Sequence, residues 1–290
     1  MLNELSETTR ASHQPKSPFP TAVRLRGKIL LAEDGPDNQA FISMIVRQAG
    51  AEVELAANGR LAVEKALGAM SAGAPYDVIL IDMQMPELDG YDATRQLRRS
   101  GYKGPIVALT AHVMAEDRQK CLAAGCDDYA SKPVDRLGLL RILGRLMGCP
   151  ADLPANHPDQ LMAGASEDAA AAAPAPASPE TALRSQFADD PDMTAAIAAF
   201  VARLPGILTT MSEALANNGH EELRRLAHQL KGAGSGYGYP MLTEQARKLE
   251  DAAKAADVEA ARLALNDLRA SARVIIAGRA ASPALEGSER

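Results

Sequence analysis

The sequence predicts an α/β domain, a doubly wound five-stranded parallel sheet, followed by an all-α four-helix bundle. Three observations predict it. From Lys28 to Met147, apolar runs of strand length alternate with segments of helical periodicity, the pattern of a parallel sheet covered on both faces. From Thr181 onward only helical patterns appear. Between them, residues 148–180 hold six prolines and the run Ala169–Ala173, a semi-extended low-complexity linker. At 290 residues the chain is long enough for two ordinary domains.

Taken in order, Ile29–Ala32 is a short apolar strand and Asn38–Ala49 a helix. Ala51–Ala56 is strand-like, Gly59–Met70 helical, and Asp77–Ile81 a buried strand. Tyr91–Arg99 is a helix, Pro105–Leu109 a strand, and Met114–Ala124 a helix. Asp128–Ser131 completes the strands and Arg136–Met147 the helices; right-handed crossovers then leave few topologies. In the second half Asp192–Leu215 forms one long helix, with a bend expected at Pro205, which lacks a backbone donor. Glu221–Lys231, Pro240–Ala256 and Val258–Ile276 supply the other three helices. The division is therefore a flexible tail over 1–25, an α/β domain over 26–147, the linker, a bundle over 181–277, and a second tail over 278–290.

Aromatics are 3% of the chain and Trp is absent, so the cores are built from aliphatic residues and Met. The net charge is -6 with no basic block, which argues against nucleic acid as the main partner. Residues 24–147 balance at 16 basic and 16 acidic, whereas 148–180 hold five acids and no base. Three cysteines without paired metal spacing read as reduced thiols in a cytoplasmic protein. The N-terminus lacks an apolar signal core, and runs such as Val78–Ile81 are too short to span a bilayer.

Ligands of such sheets bind at the carboxyl ends of the strands. There the first strand leads into Glu33-Asp34, the third into Asp82, the fourth into Thr110 and the fifth into Lys132. A strand order of 2-1-3-4-5 brings these to one edge. Three carboxylates at close range repel unless a cation joins them, and hard oxygen ligands suit Mg²⁺. Lys132 offers a point charge and Thr110 a hydroxyl to a phosphoryl oxygen, with Asp82 as nucleophile.

Leu31-Ala-Glu33-Asp34, Ile79 to Gly90 (ILIDMQMPELDG), Leu109-Thr110-Ala111-His112 and Asp128-Tyr129-Ala-Ser131-Lys132-Pro133 together resemble the receiver domain of bacterial response regulators, over about residues 26–147. The resemblance implies a flavodoxin-like fold with Asp82 as phosphoacceptor. It implies Mg²⁺ held by Asp34, Asp82 and the Gln84 carbonyl, with Glu33 acting through water. Thr110 and Lys132 would grip the phosphoryl group, Tyr129 would follow the shift of Thr110, and Lys132-Pro133 would be cis. Glu33 stands where many receivers have Asp.

In the second domain Leu223, Leu226, Ala227 and Leu230 form one apolar stripe, and His228 then points about 150° from its centre, into solvent. Lys231 lies one turn on, near enough to stabilise charge on the imidazole, and the glycines that follow allow close approach of another surface. His228-Gln-Leu-Lys231-Gly232 with Gly238, followed by Leu249-Glu250-Asp-Ala-Ala-Lys254, resembles a histidine-containing phosphotransfer (HPt) domain over roughly 181–276. That resemblance makes His228 a second phosphoacceptor. His13, His112, His157 and His220 have no such context.

The expected function is a phosphorelay intermediate rather than an enzyme with its own kinase domain, taking phosphoryl groups from a histidine kinase and passing them to receiver or HPt partners. One rival is a phosphate sink or docking regulator; another is the detached carboxyl-terminal part of a hybrid histidine kinase. An Asp-nucleophile phosphatase is disfavoured, because that chemistry generally needs a second Asp where Gln84 stands.

Overall fold

The computed structural model describes residues 24–111, 115–149 and 184–280. Most of the expected linker and of both tails, and His13, His112 and His157, lie outside the described residues. The first domain runs β1 (Lys28–Ala32), α1 (Pro36–Gln48), β2 (Glu52–Ala56), α2 (Gly59–Ser71), β3 (Val78–Asp82), α3 (Gly90–Arg99), β4 (Ile106–Thr110), α4 (Ala115–Ala124), β5 (Asp128–Ser131) and α5 (Arg136–Leu146). Its sheet is parallel throughout, in the order β2-β1-β3-β4-β5. β3 and β4 are buried along their whole length, as the continuous apolar runs require of central strands covered on both faces. The register sets Ala32 beside Ile81 and Asp82 beside Leu109, so the residues just past β1, β3 and β4 share one edge.

The second domain consists of α6 (Pro191–Ala216), α7 (His220–Gly236), α8 (Pro240–Lys254) and α9 (Val258–Ala280). Met193, Ile197, Phe200, Val201, Leu204, Leu208 and Met211 of α6 are buried at helical spacing. Among the described residues α6 is long and apolar enough to cross a membrane by length and composition, but this stripe serves the bundle core. The helix continues through Pro205 as one element.

α7 is longer than its periodicity predicts. It continues past Lys231 through Gly232, Gly234 and Gly236, because small residues there permit close packing that outweighs their low helix propensity. Gly238, in the left-handed region at φ 76°, ends the turn that follows. The core on the α1 side of the sheet is continuous with that of the bundle. Phe41 of α1 lies against Tyr237 with ring centroids 5.6 Å apart, and Tyr237 stacks on Phe200 at 4.5 Å.

Candidate functional site

At the carboxyl edge of the sheet, one ligand atom each from Glu33, Asp34 and Asp82 falls within 4.8 Å of the others. Lys132 reaches them from the loop after β5, its Nζ 2.6 Å from Glu33 Oε2 and 2.8 Å from Asp82 Oδ2. Its backbone is held by N–H donation to the Thr110 carbonyl at 2.6 Å, and Lys132-Pro133 is cis. Glu33 is fully buried and also accepts from Asn38 Nδ2 at 3.0 Å and the Gly35 N–H at 3.3 Å. The Gln84 N–H donates to Asp82 Oδ1 at 3.0 Å. Thr110 ends β4 and is buried. Tyr129, on β5, packs against the core cluster on the α2 and α3 side of the sheet, with the Arg118 guanidinium 5.9 Å from its ring.

Burial pushes the Glu33 carboxyl up, Lys132 pulls it back, and the charge of Asp82 adds to the rise. Burial also raises Asp34, against the lowering effect of a hydrogen bond from Gln229. Burial by itself would lower the Lys132 ammonium, yet Asp82 and Glu33 hold it well above the usual lysine range. Three carboxyls face one ammonium and, at 3.6 Å from Asp34, the Arg225 guanidinium, which still leaves the acids in excess. Asp34 Oδ1 is in addition buried without a hydrogen-bond partner among the described residues. An orphaned hard oxygen in an anionic pocket fits a divalent cation with oxygen preference.

His228 is not solvent-facing, as its helical position predicts, but 6% exposed. The helical wheel places it correctly off its own helix's core stripe; α8 meets it there. From α8, Glu250 Oε1 meets His228 Nδ1 at 2.8 Å, while Glu250 Oε2 meets Lys231 Nζ at 2.6 Å. Burial raises the Glu250 carboxyl, but hydrogen bonds from His228 and Lys231 outweigh it and bring it down to about 2. Lys231 thus acts on the imidazole's surroundings through a shared carboxylate.

The residues of α7 on either side of His228 meet the α/β domain. Gln229 Nε2 donates to Asp34 Oδ2 at 2.6 Å, and Arg225 lies 3.6 Å from the same oxygen. Arg203 of α6 donates through Nε to Asp37 Oδ1 at 2.7 Å, and the Tyr237 hydroxyl donates to the Asp37 carbonyl at 3.2 Å. A Cβ on Gly232 would stand 2.8 Å from Asn38 Nδ2, and one on Gly236 would stand 2.9 Å from the Phe41 ring. The close approach expected of the glycines is therefore made by α1 of the same chain. Glu250, Arg203 and Asp37 carried no sequence signal for these contacts, since each partner lies far away along the chain.

The family model for the response regulator receiver domain matches residues 29–143, and that for the Hpt domain matches residues 195–275. The sensor histidine kinase GacS of Pseudomonas protegens is 29% identical over 277 residues, covering 89% of this chain and 27% of GacS. The rice two-component response regulator ORR41 is 37% identical over 123 residues, covering 41% of this chain and 94% of that protein. Among solved structures, the receiver domain of sensor histidine kinase PA1611 from Pseudomonas aeruginosa PAO1, with magnesium in its active site cleft, is 44% identical. The match covers 43% of this chain and 99% of that one, with a TM-score of 0.38. The chain spans only 6 to 12% of the plant, yeast and Dictyostelium histidine kinases it also matches.

Proposed function

Because the chain belongs to the two-component signalling proteins, with a response regulator receiver domain followed by an Hpt domain, we propose that Asp82 and His228 are its two phosphoryl stations. The observation that carries this reading is the bond from Gln229 to Asp34, which ties the residue beside His228 to the acidic cluster containing Asp82. Asp34 and Asp82, with the Gln84 carbonyl, would hold Mg²⁺ directly, and Glu33 would help through water. When bound, that ion neutralises charge on the phosphoryl oxygens and on the carboxylates. Lys132 and Thr110 take the remaining phosphoryl oxygens, and Thr110 with Tyr129 forms the switch pair on adjacent strands.

Glu250 occupies Nδ1 of His228, so Nε2 is the nitrogen that carries phosphorus. In transfer to the receiver, an Asp82 oxygen bonds to phosphorus as the N–P bond breaks. The electron pair returns to Nε2, and the ring leaves as neutral imidazole because Nδ1 keeps its proton against Glu250. In the reverse direction the Nε2 lone pair attacks, and the Asp82 carboxylate departs with the O–P electrons. Positioning and charge neutralisation supply most of the acceleration.

Upstream lies a histidine kinase and downstream a receiver or HPt protein, in the cytoplasm, in keeping with three unpaired cysteines. The test is labelling with acetyl phosphate or a phosphorylated kinase in the presence of Mg²⁺. The intact chain should carry both base-labile and acid-labile label. Asp82→Ala should abolish labelling by acetyl phosphate, and His228→Ala should remove only the acid-labile fraction. Unchanged labelling in both variants would refute the relay. Rapid loss of all label to water, with none on His228, would favour the phosphate sink.

A further inference from the structure

Among the described residues two charged pairs join the domains outside the relay chemistry: Arg136 of α5 with Asp190 at 3.8 Å, and the shorter pair of Arg203 with Asp37. Asp37 sits in the first turn of α1, buried and outside the acidic cluster. Arg203 sits on α6, the helix that does not carry the phosphoacceptor histidine, and donates to Asp37 Oδ1 through both Nε and a terminal nitrogen. We propose that Arg203 is a specificity-determining residue: by pairing with Asp37 it selects this chain's own receiver for the Hpt bundle, while Gly232 and Gly236 admit that receiver's Asn38 and Phe41. This inference rests on the relay reading and names the partner of that same site.

Three features give the pair this role. Asp37, at 8% residue exposure, needs a partner on the opposing surface, and the half-exposed Arg203 supplies it, so a bundle without a cation there would leave the carboxylate buried and unpaired. Two N–H donors on one carboxylate oxygen, with the Tyr237 hydroxyl on the backbone of the same residue, fix the N-terminal turn of α1 in position and direction. The glycine seats are shape filters, since any Cβ at 232 or 236 would press on α1 at under 3.0 Å. Gln229 and Arg225 reach Asp34, which belongs to the proposed metal cluster itself, so their contacts serve the relay chemistry. Asp37 lies outside that cluster, so its pairing can discriminate between partners without touching the metal site.

The test is a charge-reversal cycle in the full chain with Mg²⁺ and acetyl phosphate, following label from Asp82 to His228. Arg203→Asp and Asp37→Arg should each slow transfer at least about tenfold while Asp82 still accepts label, and the double reversal should bring the rate back to within about threefold. Transfer in the unaltered chain should be first order and independent of chain concentration. An Asp82→Asn chain mixed with a His228→Gln chain at about 10 μM should exchange on the order of 100-fold more slowly, since tethered partners see each other at roughly millimolar effective concentration. Amide exchange in α1 supplies a readout independent of transfer: protection should fall in each single reversal and recover in the double. Single reversals without effect on both readouts, a double without recovery, or a rate proportional to chain concentration would overturn the proposal. Were label never to reach His228 in the unaltered chain while α1 protection still followed the cycle, the relay reading would fail and the docking pair would stand.

Discussion

In the receiver two carboxylates of a three-acid cluster share one ammonium, whereas in the Hpt bundle one carboxylate is shared by an imidazole and an ammonium. Both clusters are largely buried, so the difference in charge balance decides what each can hold. The receiver pocket gathers three acids, Glu33 and Asp34 raised chiefly by burial, and it leaves Asp34 Oδ1 buried without a hydrogen-bond partner among the described residues. It is incomplete without a cation. The bundle site is self-neutralised: Glu250 is held ionised by its hydrogen bonds to His228 and Lys231, and the Lys231 ammonium balances its charge. Phospho-Asp chemistry here should therefore depend on metal, and phospho-His chemistry should not.

The sharpest way to break that comparison is Lys132→Ala. Removing the one ammonium among three buried acids should cut Asp82 labelling by roughly 100-fold or more, the usual cost of losing a preorganised charge at a reacting centre. It should also destabilise the receiver by about 3–5 kcal/mol, as breaking a buried ion pair does. Millimolar Mg²⁺ should restore much of that stability by replacing the lost charge, and a urea titration with and without Mg²⁺ would show it. The matching substitution in the bundle, Lys231→Ala, should show no such metal rescue. Equal rescue in both domains would erase the contrast.

Next in size is Glu250→Gln. Loss of the carboxylate that holds Nδ1 should slow transfer from His228 by about 100-fold, a typical figure for a positioned acid–base group. Its effect on stability has a definite pH signature. The Glu250 carboxyl is lowered from 4.5 to about 2 by His228 and Lys231 after burial is overcome. A depressed acid stabilises the fold above its unfolded value, and that contribution is lost as pH falls from about 4.5 toward 2, to a limit of about 3 kcal/mol. Glu250→Gln should accordingly be less stable than the parent at pH 5 and converge with it near pH 2, as urea midpoints would show.

These two sites were unequally legible in the sequence. The receiver's residues lie at the ends of strands whose order follows from alternation and handedness, so topology alone brings Glu33, Asp34, Asp82 and Lys132 together. His228 was legible as a residue but not in its surroundings. A helical wheel knows the core stripe of its own helix, and nothing in it reveals that Glu250, 22 residues further on, takes Nδ1. The docking of α1 is equally silent, because Asp37 and Arg203 are 166 residues apart and each reads as an ordinary solvated charge. The extension of α7 through Gly232-Ala-Gly234-Ser-Gly236 was missed for a related reason. Local propensity disfavours glycine in helices, and only the surfaces packed against it make small residues the right choice.

The smallest effects separate the docking role of those glycines from their packing role. At Gly232 an added Cβ would meet the end of the Asn38 side chain at 2.8 Å, and Asn38 can turn away only by giving up its bond to Glu33. At Gly234 the Cβ would meet the backbone nitrogen of Thr243 at 3.0 Å, within the bundle. Alanine in place of mid-helix glycine is otherwise worth roughly 0.5–1 kcal/mol of helix stability. Gly232→Ala should therefore raise the bundle's unfolding midpoint slightly while amide protection in α1 falls. Gly234→Ala should lower that midpoint, since α7 and α8 cannot close as before. The two substitutions thus differ in sign on bundle stability, although they are chemically identical and two residues apart. If both moved the midpoint the same way, Gly232 would belong to the bundle's packing and not to the seat for α1.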